Sequence, residues 1–196
     1  MTLPRHRRST LASVIQHTTH APLSPDDITM LDGIRVTALA KTIVDVASTT
    51  TRHEAIVLLD TVLRSGRITL AQVQQVADAA LNGRRWRQVH ELLKATDRRS
   101  PDALTSLARM TLLEHHVAVD EVGVVIGRTS QGEPLRIPLL WNKARVAVVP
   151  RGDAQLVRLV QAADMTPIGV DLDTVLHRGA EFAALVDGLI DHERVA

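Results

Sequence analysis

Three acidic residues in the second half of the chain have the chemistry to hold a divalent cation. Asp102, Glu133 and Asp153 are candidate ligands for Mg²⁺, which polarises a phosphate and activates water when two or three carboxylates bind it. Each also has a structural explanation. Asp102 follows Pro101 in a first helical turn, where the helix dipole favours a negative charge, Asp153 stands at a predicted helix N-cap, and Glu133 lies in a turn. The sequence therefore favours structural carboxylates, with a Mg²⁺ site as the alternative.

Histidines give no stronger indication of a metal site. His17 and His20 lie three residues apart and His115 and His116 are adjacent, but no acidic partner stands at a zinc-like spacing. The chain has no cysteine, so it has neither a thiolate ligand nor a disulfide. It also has no glycine-rich phosphate loop and no nucleophile elbow. We therefore expect no metal, no cofactor and no enzymatic activity.

Arginines form two short basic clusters that are candidate contacts to nucleic acid. The clustered residues are Arg5, Arg7 and Arg8 near the start, and Arg84, Arg85 and Arg87 further along. The formal net charge is only +1, which gives no general attraction for a polyanion. Aromatic residues make up only 2% of the chain, so stacking on single strands is disfavoured. Binding to the backbone of duplex DNA is what these clusters permit.

The first half of the chain has the pattern of a helical subdomain behind a short arm. Residues 1–36 are predicted as a basic arm, a short strand at Val14 and Ile15, and a loop over 21–33. Apolar residues then recur at helical spacing over 37–98. Gly66 marks one helix end, Thr69 opens the next helix, with Gln72 completing a capping box, and a glycine at position 83 ends that helix.

The second half, 99–196, changes to a mixed α/β pattern. Ser100 at the cap and Pro101 at the first helical position predict the start of a helix that runs to about residue 116. The predicted strands cover 117–126, 135–141, 144–149 and 167–170, with a tight turn at Asn142 and Lys143. One helix follows Asp153 and another closes the chain. The predicted fold class is α/β, with an N-terminal helical subdomain followed by a small mixed sheet flanked by helices.

Several segments of the first half resemble actinobacterial AbiEi-family antitoxin-like proteins. The likeness runs through the sequences GIRVT at 33–37, KTIVDVA at 41–47, Leu59-Asp60 and RSG at 64–66, and it covers roughly 14–83. Lys41 stands where arginine is usual. The carboxylates Asp45 and Asp60 are predicted on a helix surface or bonded to a loop.

The second half resembles very-short-patch-repair endonucleases of the PD-(D/E)XK class, in which strand and helix carboxylates hold Mg²⁺. That resemblance places the family's three acidic positions on Ala103, Pro138 and Val149. None of the three can ligate a metal. The resemblance therefore implies a restriction-endonuclease-like domain that has lost its catalytic residues.

Together the two resemblances imply a binding protein rather than an enzyme. AbiEi-like members neutralise a nucleotidyltransferase-like toxin and often repress their operon through an N-terminal winged helix, for which the stretch before Gly33 is too short. We therefore expect an antitoxin that acts by protein–protein contact with a cognate toxin. The alternative is a catalytically dead, DNA-binding regulator of nuclease fold, or a weak nuclease whose metal site has migrated to Asp102, Glu133 and Asp153.

An accessory, homodimeric module is a third possibility. A dimer could form on an apolar face made of Leu139, Leu140 and residues 146–149, although periodicity predicts that these residues are ordinary core. The chain has no apolar run of membrane-spanning length and no apolar stretch after its basic start, so we expect a cytoplasmic protein without a signal peptide.

Overall fold

A computed structural model describes residues 2–4, 17–19 and 23–195, with side chains described over 23–191. The strands are β1 (Thr2–Pro4), β2 (His17–Thr19), β3 (Ile28–Leu31), β4 (Ile34–Thr37), β5 (Glu121–Arg128), β6 (Pro134–Trp141), β7 (Val146–Pro150) and β8 (Thr166–Val170). The helices are α1 (Leu39–Ala47), α2 (Arg52–Arg64), α3 (Leu70–Ala80), α4 (Gly83–Ala95), α5 (Ala103–Glu114), α6 (Ala154–Ala162), α7 (Leu172–His177) and α8 (Gly179–Val195).

Two small sheets precede the helices. Strands β1 and β2 pair in parallel, and β3 and β4 form an antiparallel hairpin. Asp32 and Gly33 close the hairpin with φ angles of 48° and 79°, as a two-residue turn between right-twisted strands requires. The prediction of a loop over 21–33 was therefore wrong for Ile28–Leu31, which form strand β3. Val14 and Ile15, the predicted strand, lie outside the described residues.

Helices α1 to α4 surround one hydrophobic core. Its fully buried members include Val44, Ile56, Leu59, Val73 and Val89. The predicted capping box at the start of α3 is confirmed, because Thr69 accepts from the backbone N–H of Gln72 and the Gln72 side chain accepts from Thr69.

The glycines at the ends of these helices behave differently from each other. Gly66 follows α2 with a φ of 69°, in agreement with the prediction. The prediction that Gly83 ends α3 was wrong. That helix stops at Ala80, and Gly83 begins α4 with a φ of 54°.

Helix α5 begins two residues later than the Ser100-Pro101 signal predicts. Its N-cap is Asp102, whose carboxylate accepts from the backbone N–H of Thr105 at 2.8 Å. The side chain and carbonyl of Ser100 are instead buried and contacted by Arg109 and Arg64. Tertiary contacts therefore remove Ser100 from the capping position, and the prediction was wrong.

The second half contains a four-stranded sheet in the order β5-β6-β7-β8 between two layers of helices. The first three strands are antiparallel, and β8 runs parallel to β7. Helices α5, α7 and α8 cover one face around Trp141 and Phe182, and α6 covers the other through Leu156 and Val160. The predicted mixed α/β class is confirmed, while the short helix α7 was not predicted.

The turn between β6 and β7 is longer than predicted. It comprises four residues, 142–145, rather than two, and Arg145 takes a φ of 50°. The strands on both sides are buried, including Leu139, Leu140 and residues 146–149. The apolar face considered for a dimer is therefore part of the core of this chain.

Candidate functional site

The three positions where the nuclease resemblance expects acidic residues lie in different surroundings. Ala103 is the first residue of α5 and is exposed, whereas Pro138 and Val149 are buried in β6 and β7. Val149 packs against α6 in the core on that side of the sheet. None of these side chains offers an oxygen or nitrogen atom to a cation.

The side chains on either side of Pro138 in strand β6 point to opposite faces of the sheet, although residues two apart in a regular strand share a face. Val122 and Leu139, which are directly paired, both belong to the core under α5, whereas the next pair, Val124 and Ile137, packs toward α6. Between them, Gly123 takes a φ of 69° opposite Pro138. A proline, which cannot donate to the sheet, and a glycine in a left-handed conformation together form this irregularity.

Two of the three carboxylates considered as alternative metal ligands, Asp102 and Asp153, cap the N-termini of different helices. Asp102 accepts from the backbone N–H and hydroxyl of Thr105 at 2.8 and 2.9 Å, and Asp153 accepts from the backbone N–H of Leu156 at 2.9 Å. Glu133 is exposed in the turn before β6. Within the described part of the chain, no group of three or more His, Asp or Glu residues is placed to hold a metal ion.

Neither histidine pair belongs to a metal-binding group among the described residues. His115 and His116 are exposed at the end of α5, where His116 has a φ of 63°. His17 lies in β2, where only the backbone is described, and His20 lies outside the described residues.

The carboxylates of the antitoxin-like segment have structural partners. Asp45 forms an ion pair with Lys41, one turn earlier in α1. Asp60 is fully buried rather than on a helix surface. It accepts from the backbone N–H of Asp97, in the loop after α4, at 2.8 Å, so the alternative of a loop-bonded carboxylate was right.

A polar groove lies between the start of α2 and the face of α4. Its volume is about 570 Å³. The residues that line it are Thr50, Thr51, Arg52, Arg84, Arg87, Gln88 and Glu91. Arg84 and Arg87 come from the second predicted basic cluster, whereas Arg85 does not line the groove. Arg52 was not predicted, because it lies in another helix.

The arginines of the groove differ in their partners. Arg52 forms ion pairs with Glu91 at 3.0 Å and with Glu114 at 3.6 Å. The side chains of Arg84 and Arg87 have no hydrogen-bond or ion-pair partner among the described residues. The groove thus presents two uncompensated guanidinium groups. Arg5, Arg7 and Arg8, the first predicted cluster, lie outside the described residues.

A hydrogen-bonded triad fixes α4 against α3. Asp78 accepts from the indole N–H of Trp86 at 2.8 Å and bonds to His90 Nε2 at 2.7 Å. The two rings also stack with their centroids 4.0 Å apart. The hydrogen bond from Trp86, followed by that from His90, lowers the pKa of the Asp78 carboxyl. Trp86 is therefore already engaged on one face and at its N–H.

The β3–β4 hairpin carries an exposed apolar tip. Met30, Leu31 and Ile34 are 60%, 61% and 66% exposed, and Leu31 and Ile34 pair across the turn. The sequence contained a signal for this hairpin in the Asp32-Gly33 dipeptide. A tip of three large apolar side chains on a two-stranded hairpin is a candidate contact surface for another protein.

Comparison with known proteins gives one family and two relatives. Residues 3–95 match the family model of the AbiEi antitoxin C-terminal domain. The chain is 28% identical over 179 residues to uncharacterised proteins of two Mycobacterium tuberculosis strains, CDC 1551/Oshkosh and H37Rv. Each alignment covers 85% of this chain and 65% of the relative, so the chain spans slightly less than two thirds of the relatives it matches.

These comparisons support the antitoxin resemblance of the first half. No solved structure gives a significant match to the chain. The nuclease likeness of residues 99–196 therefore stays a prediction. In the described part of the chain, no helix is both long enough and apolar enough to span a membrane.

Proposed function

We propose, from the match of residues 3–95 to the AbiEi antitoxin C-terminal domain, that this chain is the antitoxin component of a toxin–antitoxin pair. It acts in the cytoplasm as a non-catalytic binding protein. Its partner is a nucleotidyltransferase-like toxin, which it neutralises by direct contact. The family match is the observation that carries this proposal.

The second half supports the non-catalytic part of the proposal. The element order α5-β5-β6-β7-α6-β8 is the order expected of the nuclease-like fold. The sequence resemblance assigns Ala103, Pro138 and Val149 to the positions where that fold would carry its acidic ligands. We therefore propose that residues 99–196 form a degenerate nuclease-like domain that serves as a scaffold.

The β3–β4 hairpin is the surface we propose for the toxin contact. It lies inside the segment that matches the antitoxin domain, and Met30, Leu31 and Ile34 form an apolar tip that the described part of the chain leaves exposed. Burying one such side chain contributes about 1.5–3 kcal/mol, so three of them can anchor an interface.

Co-expression with the product of the adjacent gene tests the proposal. We expect the wild-type chain to relieve that product's toxicity and to co-purify with it. Replacing Leu31 and Ile34 by Asp should weaken the complex by roughly thirtyfold or more, the loss typical of a hot spot. The matched control is Leu172→Asp, because Leu172 is 53% exposed but lies outside the matched segment.

The two parts of the proposal fail separately. If the chain gives no relief of toxicity, the antitoxin role is wrong. If it relieves toxicity without forming a complex, or if the hairpin variant binds as well as Leu172→Asp, the direct contact through the hairpin is wrong and neutralisation takes another route.

A further inference from the structure

The groove between the start of α2 and α4 is lined by three arginines and one glutamate. Arg52 is paired with that glutamate, Glu91, and with Glu114, which leaves Arg84 and Arg87 as its excess positive charge. We propose that this groove binds a small ligand that carries two or more neighbouring phosphate groups. This inference is independent of the toxin contact and goes beyond the antitoxin role.

The free donors of the groove come from α4. Arg84 and Arg87 lie three residues apart on one face of the helix, and neither guanidinium is used by the described residues. Each guanidinium offers five N–H donors in a planar fork that matches two phosphate oxygens at once. Two such forks side by side fit neighbouring phosphate groups.

The third arginine is held in place from α2. Arg52 donates through Nη1 to Glu91 at 3.0 Å, and its Nε lies 3.6 Å from Glu114. These carboxylates fix the side chain, while Nη2 has no partner among the described residues. Arg52 therefore supplies a positioned cation opposite the two free arginines.

The other lining groups exclude a ligand that depends on apolar or aromatic contacts. The hydroxyls of Thr50 and Thr51 already donate, to the carbonyl of Val46 and to Glu54. Among the residues that the structure describes, no aromatic or large aliphatic side chain lines the groove. It therefore suits the multiply charged, oxygen-rich part of a ligand and offers nothing for a base to stack on.

The size and surroundings favour a small ligand over a nucleic acid backbone. A volume of about 570 Å³ lies within the roughly 300–1,000 Å³ of small-molecule sites. Glu54, Glu91 and Glu114 lie around the groove and interrupt any positive track along the surface. Duplex binding needs a longer series of phosphate contacts.

Isothermal titration with inorganic tripolyphosphate and with ATP tests this site on the full chain. Arg84→Ala and Arg87→Ala should each bind both probes about tenfold more weakly, the effect of losing a charge-assisted hydrogen bond. Arg85→Ala is the matched control, because Arg85 is exposed in the same turn of α4 but does not line the groove. Equal circular dichroism melting curves would show that the variants fold.

Three outcomes would overturn the site. The first is that the wild-type chain binds neither probe. The second is that Arg85→Ala loses as much affinity as Arg84→Ala, because the binding would then reflect general charge. The third is that a short duplex DNA binds in an Arg84- and Arg87-dependent manner while the small phosphates do not.

Discussion

Asp60 and Arg109 form a buried ion pair, with 2.8 Å between Asp60 Oδ2 and Arg109 Nη2. It joins α2 of the helical half to α5, the first helix of the mixed half. Asp60 Oδ1 also accepts from the backbone N–H of Asp97, and Arg109 donates to the carbonyl of Ala95. Since α5 places Met110 in one core and Leu107 in the other, this helix couples both halves of the chain.

Replacing Asp60 by Asn should therefore destabilise the whole chain. The substitution leaves the Arg109 charge buried without its counterion, which costs about 3–5 kcal/mol in the free energy of unfolding. Urea denaturation followed by circular dichroism measures this loss. The control is Asp173→Asn in the exposed pair with Arg178, where we expect about 0–1 kcal/mol. Equal losses in the two variants would contradict the structural role of the buried pair.

Gly123→Ala should be more harmful than Gly132→Ala. Both glycines have a left-handed φ, of 69° and 84°, so both variants incur a backbone cost of roughly 1–2 kcal/mol. Only at Gly123 would the added Cβ overlap the backbone carbonyl of Arg99, whereas nothing lies within 4 Å of the Cβ at Gly132. The difference between their melting temperatures measures the close approach of the loop before α5. No difference would show that this loop does not rest on Gly123.

Asp78 should titrate below the usual range of an aspartate. Its folded-state pKa is lowered by the hydrogen bond from Trp86 and then by that from His90. Because the pKa is lowered, the associated stability is present above the unfolded pKa of about 3.9 and is lost as pH falls through the folded pKa.

The indole N–H signal of Trp86 in an NMR titration reports this ionisation. Asp78→Asn should abolish the acid-range transition. Trp141 is the internal control, because its indole N–H donates to the carbonyl of Ala118 at 2.6 Å and has no carboxylate partner. A transition of equal size at Trp141 would indicate global unfolding instead.

Asp102→Ala and Asp153→Ala should affect stability and leave nuclease activity absent. Each removes an N-cap and should cost about 1 kcal/mol. Incubation of the purified chain with Mg²⁺ and labelled duplex DNA should give no cleavage above a chelator-treated control. Mg²⁺-dependent cleavage that disappears in either variant would establish a migrated nuclease site and overturn the non-catalytic assignment.

Features encoded by neighbouring residues were the ones that the sequence predicted well. The capping box of Thr69 and Gln72, the helix end at Gly66 and the N-cap at Asp153 each depend on residues within one turn of each other. The alternation of apolar residues likewise predicted the mixed α/β class. The Asp32-Gly33 turn is equally local, although this segment was predicted as a loop.

The sequence by itself thus indicated the helices α1 to α6 and α8, the four strands of the second half and the absence of cysteine chemistry, but it did not indicate the β3–β4 hairpin or α7. Only the tertiary structure decided that Asp60 is buried against Arg109 and that Asp102, rather than Ser100, caps α5. It also decided that Arg52 lies in one groove with the arginines of α4. The physical reason is the separation along the sequence between the residues that interact. Caps and periodicity are local properties of the backbone, whereas burial and charge pairing depend on which distant segments pack together.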